Sequence, residues 1–211
     1  MVRRILLGCG IVSSVLYIAV DLLGTLRYPG YRYTEQQFSE LTAAGSPVRP
    51  FMVGLSVIPY TLLVAAFAVG VWISTGPKRA GRITGAMLLG YAAFGMVGGW
   101  FTPMNTREAL AAGERGLRNA MHVPMTAVMS LLMLLAMGFG ATLLGKRFRY
   151  YSYTTIAILI VFGVLTSLQA GKMVADEPTP LMGLTERINI YATMLWVTVL
   201  AIGLIGTKET R

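Results

Sequence analysis

Six stretches of this chain, at about 5–26, 51–75, 83–101, 121–145, 151–173 and 182–205, each run for some twenty residues with few charges. No other feature of the sequence constrains the fold as strongly. About 20 apolar residues in a helix cross the roughly 30 Å hydrocarbon core of a bilayer. Inside that core every backbone N–H and C=O must find a partner within the chain, which leaves helices or closed barrels. Apolar runs of this length are helical. The expectation is therefore an all-α integral membrane protein, with residues 1–211 forming one six-transmembrane-helix bundle. Composition agrees: 13% of residues are charged, against about 25% in a soluble domain. A chain so poor in charge cannot coat a soluble core of its own size. The first run exceeds a typical signal-peptide core and has no small-x-small cleavage site before Tyr28, so it reads as a retained helix.

Charge sets the expected orientation. Arg3, Arg4, Lys78, Arg79, Arg82, Lys146, Arg147, Arg149, Lys208 and Arg211 fall on one side of the bundle, with Glu209 the one acid there. The other side takes eight bases and eight acids. The positive-inside rule then places both termini in the cytoplasm of a multi-pass cell-membrane protein. The formal charge of +9 faces anionic lipid headgroups. Its bases are scattered over short loops, which argues against nucleic acid as a partner. Cys9, the single cysteine, lies within the first run and forms no intrachain disulfide.

Polar residues within the runs recur at helical spacing. Ser13, Tyr17, Asp21 and Thr25 share one face of the first helix. Arg118, His122, Thr126 and Ser130 do so on the fourth, and Glu186, Asn189 and Thr193 on the sixth. A charge in hydrocarbon costs about 2.5–3.5 kcal/mol or more, so such groups turn inward and pair or line a wet cavity. The alternative is snorkelling to the headgroups, most natural for Arg118, Lys172 and Arg187. The economical arrangement is an outward-facing polar pocket in which His122 meets Asp21, Glu40 or Glu186. Pro59 predicts a kink in the second helix. The third carries Gly85, Gly90, Gly95, Gly98 and Gly99. Its Gly95-x-x-x-Gly99 spacing permits close helix contact, within the chain or in a homo-oligomer.

The first outer loop, YTEQQFSELTAAGSPVRP at 33–50, is unusually structured. Thr34 and Gln37 fit a capping box, and good helix formers follow. Gly45 is a natural stop and Ser46-Pro47 prevents continuation. The spacing predicts a helix over 35–44 whose Phe38 and Leu41 rest on the bundle or in lipid. Glu40 and Arg49 then either clamp the loop as an ion pair, or Glu40 roofs the pocket.

These segments resemble a bacterial and archaeal membrane family known as domain of unknown function 998. The resemblance lies in LRYPGY (26–31), FSELTAAGSPVRP (38–50), MHVPMT (121–126), GLTERINIY (183–191) and LW (195–196), and it covers essentially the whole chain. It implies a six-helix membrane protein and supplies no reaction. The residues it emphasises are Ser39, Glu40, Gly45, Pro47, Arg49, His122, Glu186, Arg187 and Asn189.

Chemistry is thinly signalled. His122 is the one histidine, no HxxxH or HExxH exists, and no phosphate loop or dinucleotide fingerprint is present. No metal and no cofactor are expected. Candidate ligand-binding residues are Asp21, Ser39, Glu40, Arg49, Arg118, His122, Glu186, Arg187 and Asn189, with membrane lipids as partners. The leading reading is binding of a lipid headgroup or other amphiphile. The alternatives are a membrane enzyme using His122 with Glu40 or Asp21, and an accessory subunit or small transporter.

Overall fold

A computed structural model describes residues 1–175 and 177–207. Lys208, Glu209 and Arg211, counted above for orientation, lie outside the described residues. The elements are α1 (Val2–Arg27), α2 (Phe38–Leu41), α3 (Arg49–Met52), α4 (Ile58–Ser74), α5 (Arg79–Phe101), α6 (Arg107–Ala111), α7 (Leu117–Gly140), α8 (Lys146–Ser167), α9 (Ala170–Val174) and α10 (Met182–Gly206). A π-helical turn, Val53–Val57, joins α3 to α4. Six helical stretches are long and apolar enough to cross a membrane: Val2–Arg27, Arg49–Ser74, Arg79–Phe101, Leu117–Gly140, Lys146–Val174 and Met182–Gly206. The protein is thus an all-helical bundle of the multi-pass membrane type.

The π turn is the form that the expected break at Pro59 takes. Proline has no N–H for the carbonyl of Leu55. The ladder widens ahead of it, and Ile58 N–H donates to Val53 O, five residues back. Ser56 Oγ gives its proton to Met52 O at 2.6 Å, and Thr61 Oγ1 to Val57 O at 2.5 Å.

Small residues bring the helices together. A Cβ at Gly70 of α4 would sit 2.9 Å from the backbone nitrogen of Leu7 in α1. On α5, a Cβ at Gly85 would lie 2.9 Å from Ala68 O, and one at Gly99 would lie 2.6 Å from Val57. Its other side meets α7, where Gly90 faces Leu132 and Gly95 faces Met129. The glycines of α5 therefore seat it between α4 and α7 of the same chain. At the end bearing the termini, Leu7, Phe67, Leu88, Met137, Trp196 and Leu200 form a closed apolar core. Trp196 donates its indole N–H to Ser152 Oγ at 2.9 Å, which satisfies the polar atom in that core. Arg3 closes the same end by donating to Leu204 O at 2.5 Å and Ser74 Oγ at 3.1 Å. A guanidinium at a helix C-terminus satisfies carbonyls that have no intrahelical partner.

The opposite end is covered by the three longer connections, which fold into a cap. Ala44 N–H donates to Met104 O at 2.7 Å, and Leu184 N–H to Thr34 O at 3.0 Å. Ala43, Met104, Leu110, Met173 and Met182 form a small apolar core beneath.

Candidate functional site

The cap hangs on two buried arginine–carboxylate pairs. The first joins α1 to α10. Arg187 Nε donates to Asp21 Oδ2 at 3.0 Å and Nη2 to Oδ1 at 2.9 Å, with both side chains sealed from solvent. Nη1 donates to Tyr33 O and Gln36 O, both at 2.8 Å, and Nη2 also reaches Tyr31 Oη at 2.8 Å. Tyr191 Oη donates to Asp21 Oδ2 at 2.6 Å. The guanidinium carbon lies 3.9 Å from the centroid of the Tyr33 ring. Burial pushes the Tyr31 phenol above its ordinary range, so it remains a neutral hydroxyl. It accepts from Arg187 and gives its own proton toward Gln37 O at 2.6 Å.

The second pair joins the first and second loops of the cap. Arg107 Nε donates to Glu40 Oε2 at 2.7 Å and Nη2 to Oε1 at 2.8 Å. Its Nη1 donates to Thr179 Oγ1 at 2.9 Å and its Nη2 to Glu35 O at 3.0 Å. Glu40 also accepts Gln37 N–H at 2.8 Å, capping α2 from its third position.

These bonds correct two expectations about the loop. Glu40 pairs with Arg107, not Arg49. Arg49 instead donates to Thr42 O and, at 3.5 Å, to Trp100 O. The helix expected over 35–44 is one turn, Phe38–Leu41. The carbonyls of residues 33–36 would otherwise start a longer helix. Arg187, Arg107 and Leu184 N–H take them instead. Strong outside donors win over the local ladder where the backbone is buried. The apolar side of this turn does rest on the bundle: Phe38 stacks on Tyr17 with centroids 4.6 Å apart, and Leu41 is fully buried. Gly45 has φ +93°, in a turn four residues past the helix rather than at its stop.

A family model for a protein of unknown function matches residues 11–203. The chain belongs to the DUF998 family. No curated protein and no solved structure matches it.

The remaining candidates of this DUF998 protein divide by what they touch. His122 Nδ1 faces Thr102 O at 2.9 Å. His122 and Arg49 thus both meet carbonyls at the C-terminal end of α5, where cationic and donor groups are favourable. Among the described residues no carboxylate bonds to His122, so the His–carboxylate pair expected from the sequence is not formed. Arg118, one turn before His122, is exposed. Ser39 is half-buried and its carbonyl accepts Thr42 Oγ1 at 2.9 Å. Among the described residues no three of His, Cys, Asp and Glu gather as a metal cluster would require.

Glu186 and Asn189 stand apart from both clamps. Glu186 Oε2 accepts Phe38 N–H at 2.5 Å, holding the start of α2. Among the described residues Glu186 has no cationic partner within ion-pair distance. The Asn189 side-chain oxygen is buried with no hydrogen-bond partner among the described residues. Around them, α7 packs along α5 and α8 along α10, while α7 and α8 share little contact. The two pairs close near the α7–α8 turn, where Gly140 faces Trp196 and Leu144 faces Gly203. All buried residues of α7 lie between Met133 and Gly140. Its half nearer the cap has none.

Proposed function

We propose that this protein binds a membrane amphiphile, with the chain lying between the α5–α7 and α8–α10 pairs and the headgroup beneath the cap. The observation that carries this reading is that α7 and α8 share little contact and that the half of α7 nearer the cap has no buried residue, which we read as a gap between the two pairs. An empty gap in a bilayer forfeits dispersion contacts on both walls, and water there is costly, so a lipid chain is the natural filler. The cap supplies a fixed polar rim above it. Asp21, Arg187, Glu40 and Arg107 have their main hydrogen-bonding capacity committed to one another and to backbone, so they act as scaffold and leave recognition to other groups. His122, held by a backbone carbonyl, gives little support to an acid–base enzyme. Native mass spectrometry of the detergent-purified protein after incubation with a total lipid extract tests the reading. One amphiphile should stay on each chain at collision energies that strip detergent. A bare chain under those conditions would remove the proposal.

We also propose that the capped end faces outward, since the short loops at the other end carry the Lys78–Arg82 and Lys146–Arg149 bases. In intact cells, an impermeant maleimide should label Glu114→Cys and spare Lys78→Cys, both in a Cys9→Ala background. The reverse pattern would invert the topology.

A further inference from the structure

We infer that the amphiphile carries a primary amine, recognised by Glu186 and Asn189 on one side of α10. This rests on the amphiphile reading above and adds the chemistry of the headgroup. The two residues are three apart, so they lie on adjacent turns of one helix surface. Both sit inside a spanning segment, Met182–Gly206. Both present acceptors. Glu186 keeps Oε2 on Phe38 N–H, while its Oε1 bonds to no donor among the described residues. The Asn189 oxygen has no partner at all among them. The neighbouring guanidinium cannot serve, because Arg187 is committed to Asp21, Tyr31 and the backbone of residues 33–36.

A carboxylate at membrane depth whose neighbouring guanidinium is paired with another acid is costly, and an acceptor left unbonded there adds to that cost. What both lack is a donor with positive charge. An alkylammonium offers three N–H donors on a compact cation, enough for the Glu186 carboxylate and a nearby amide oxygen together. A quaternary ammonium brings charge with no N–H, and a glycerol headgroup brings donors with no charge. The site therefore ranks these headgroups. Half-burial of Glu186 leaves it reachable.

The test uses the full chain in detergent with an equimolar mixture of phosphatidylethanolamine, phosphatidylcholine and phosphatidylglycerol of matched acyl chains. Native mass spectrometry reads the retained lipid. The wild type should retain phosphatidylethanolamine about tenfold over phosphatidylcholine, the ratio expected from one charge-assisted hydrogen bond. Glu186→Gln should bring that ratio to about one without unseating α2, since a glutamine oxygen still accepts Phe38 N–H. Asn189→Leu, which leaves the start of α2 untouched, should lower the ratio too. A wild type with no headgroup preference, or a Glu186→Gln protein that keeps the preference, would overturn the amine assignment and leave amphiphile binding standing. Retention of no lipid of any class would overturn both.

Discussion

Arg187→Met is expected to cost about 3–5 kcal/mol, the range for removing one partner of a buried ion pair. That is a large share of the 5–15 kcal/mol that holds a typical protein folded. The substitution strips Asp21 of its guanidinium bonds and leaves its carboxylate, among the described residues, with Tyr191 alone. It also orphans the carbonyl of Tyr33 and leaves that of Gln36 to the Tyr31 hydroxyl. Arg187→Lys should rescue little, because one ammonium cannot meet Asp21 in a fork and also reach carbonyls on another side. The combination Asp21→Leu with Arg187→Met should recover part of the loss, since no lone charge remains buried. Thermal unfolding in detergent, followed by size-exclusion chromatography, reads all three. An Arg187→Met protein as stable as wild type would mean that the pair is not what holds the cap.

How much of this was legible in the sequence follows from the range of each interaction. The six spans are a property of local composition, and their limits move by only a few residues in the structure. The resting of Phe38 and Leu41 on the bundle follows from their spacing on one turn. The clamps are different. Glu40 and Arg107 are 67 positions apart and Asp21 and Arg187 are 166 apart, and no periodicity links such pairs. Arg49 lies nine positions from Glu40 on the same loop, and reasoning from sequence pairs charges that share a segment. Arg107 sits in a connection between spanning helices, where an arginine ordinarily means solvent, so nothing local marks it as buried. One signal was available: Tyr28, Tyr31 and Tyr33 crowd a short segment, and aromatic faces with hydroxyls suit a guanidinium. The partner of His122 was illegible for another reason. A backbone carbonyl at a helix end carries no residue identity, so side-chain chemistry points past it to carboxylates. Glu186 and Asn189 stand out in the sequence because depth and polarity together are unusual there, and neither clamp absorbs them.

Gly183→Ala should be nearly as damaging as the loss of Arg187, although it deletes no interaction directly. A Cβ at Gly183 would fall 2.2 Å from Gln36 O and 2.5 Å from Tyr33 O. These are backbone atoms, so no side chain can swing aside. They are also the two carbonyls that Arg187 Nη1 holds. The methyl group would therefore push the first loop away from α10 and lengthen both bonds at once. Overpacking costs about 1–3 kcal/mol, and each hydrogen bond to a charged group contributes about 1.5–3 kcal/mol. A loss of about 3 kcal/mol or more is expected, even though alanine is the better helix former. Gly138 provides the contrast within the same protein. It lies within α7 with no heavy atom near the added Cβ, so Gly138→Ala should be neutral or stabilising by up to about 1 kcal/mol. Unfolding temperatures of the two variants in one detergent measure the difference. If Gly183→Ala is as stable as Gly138→Ala, the first loop is not seated on the start of α10 and the geometry of the Arg187 clamp is wrong.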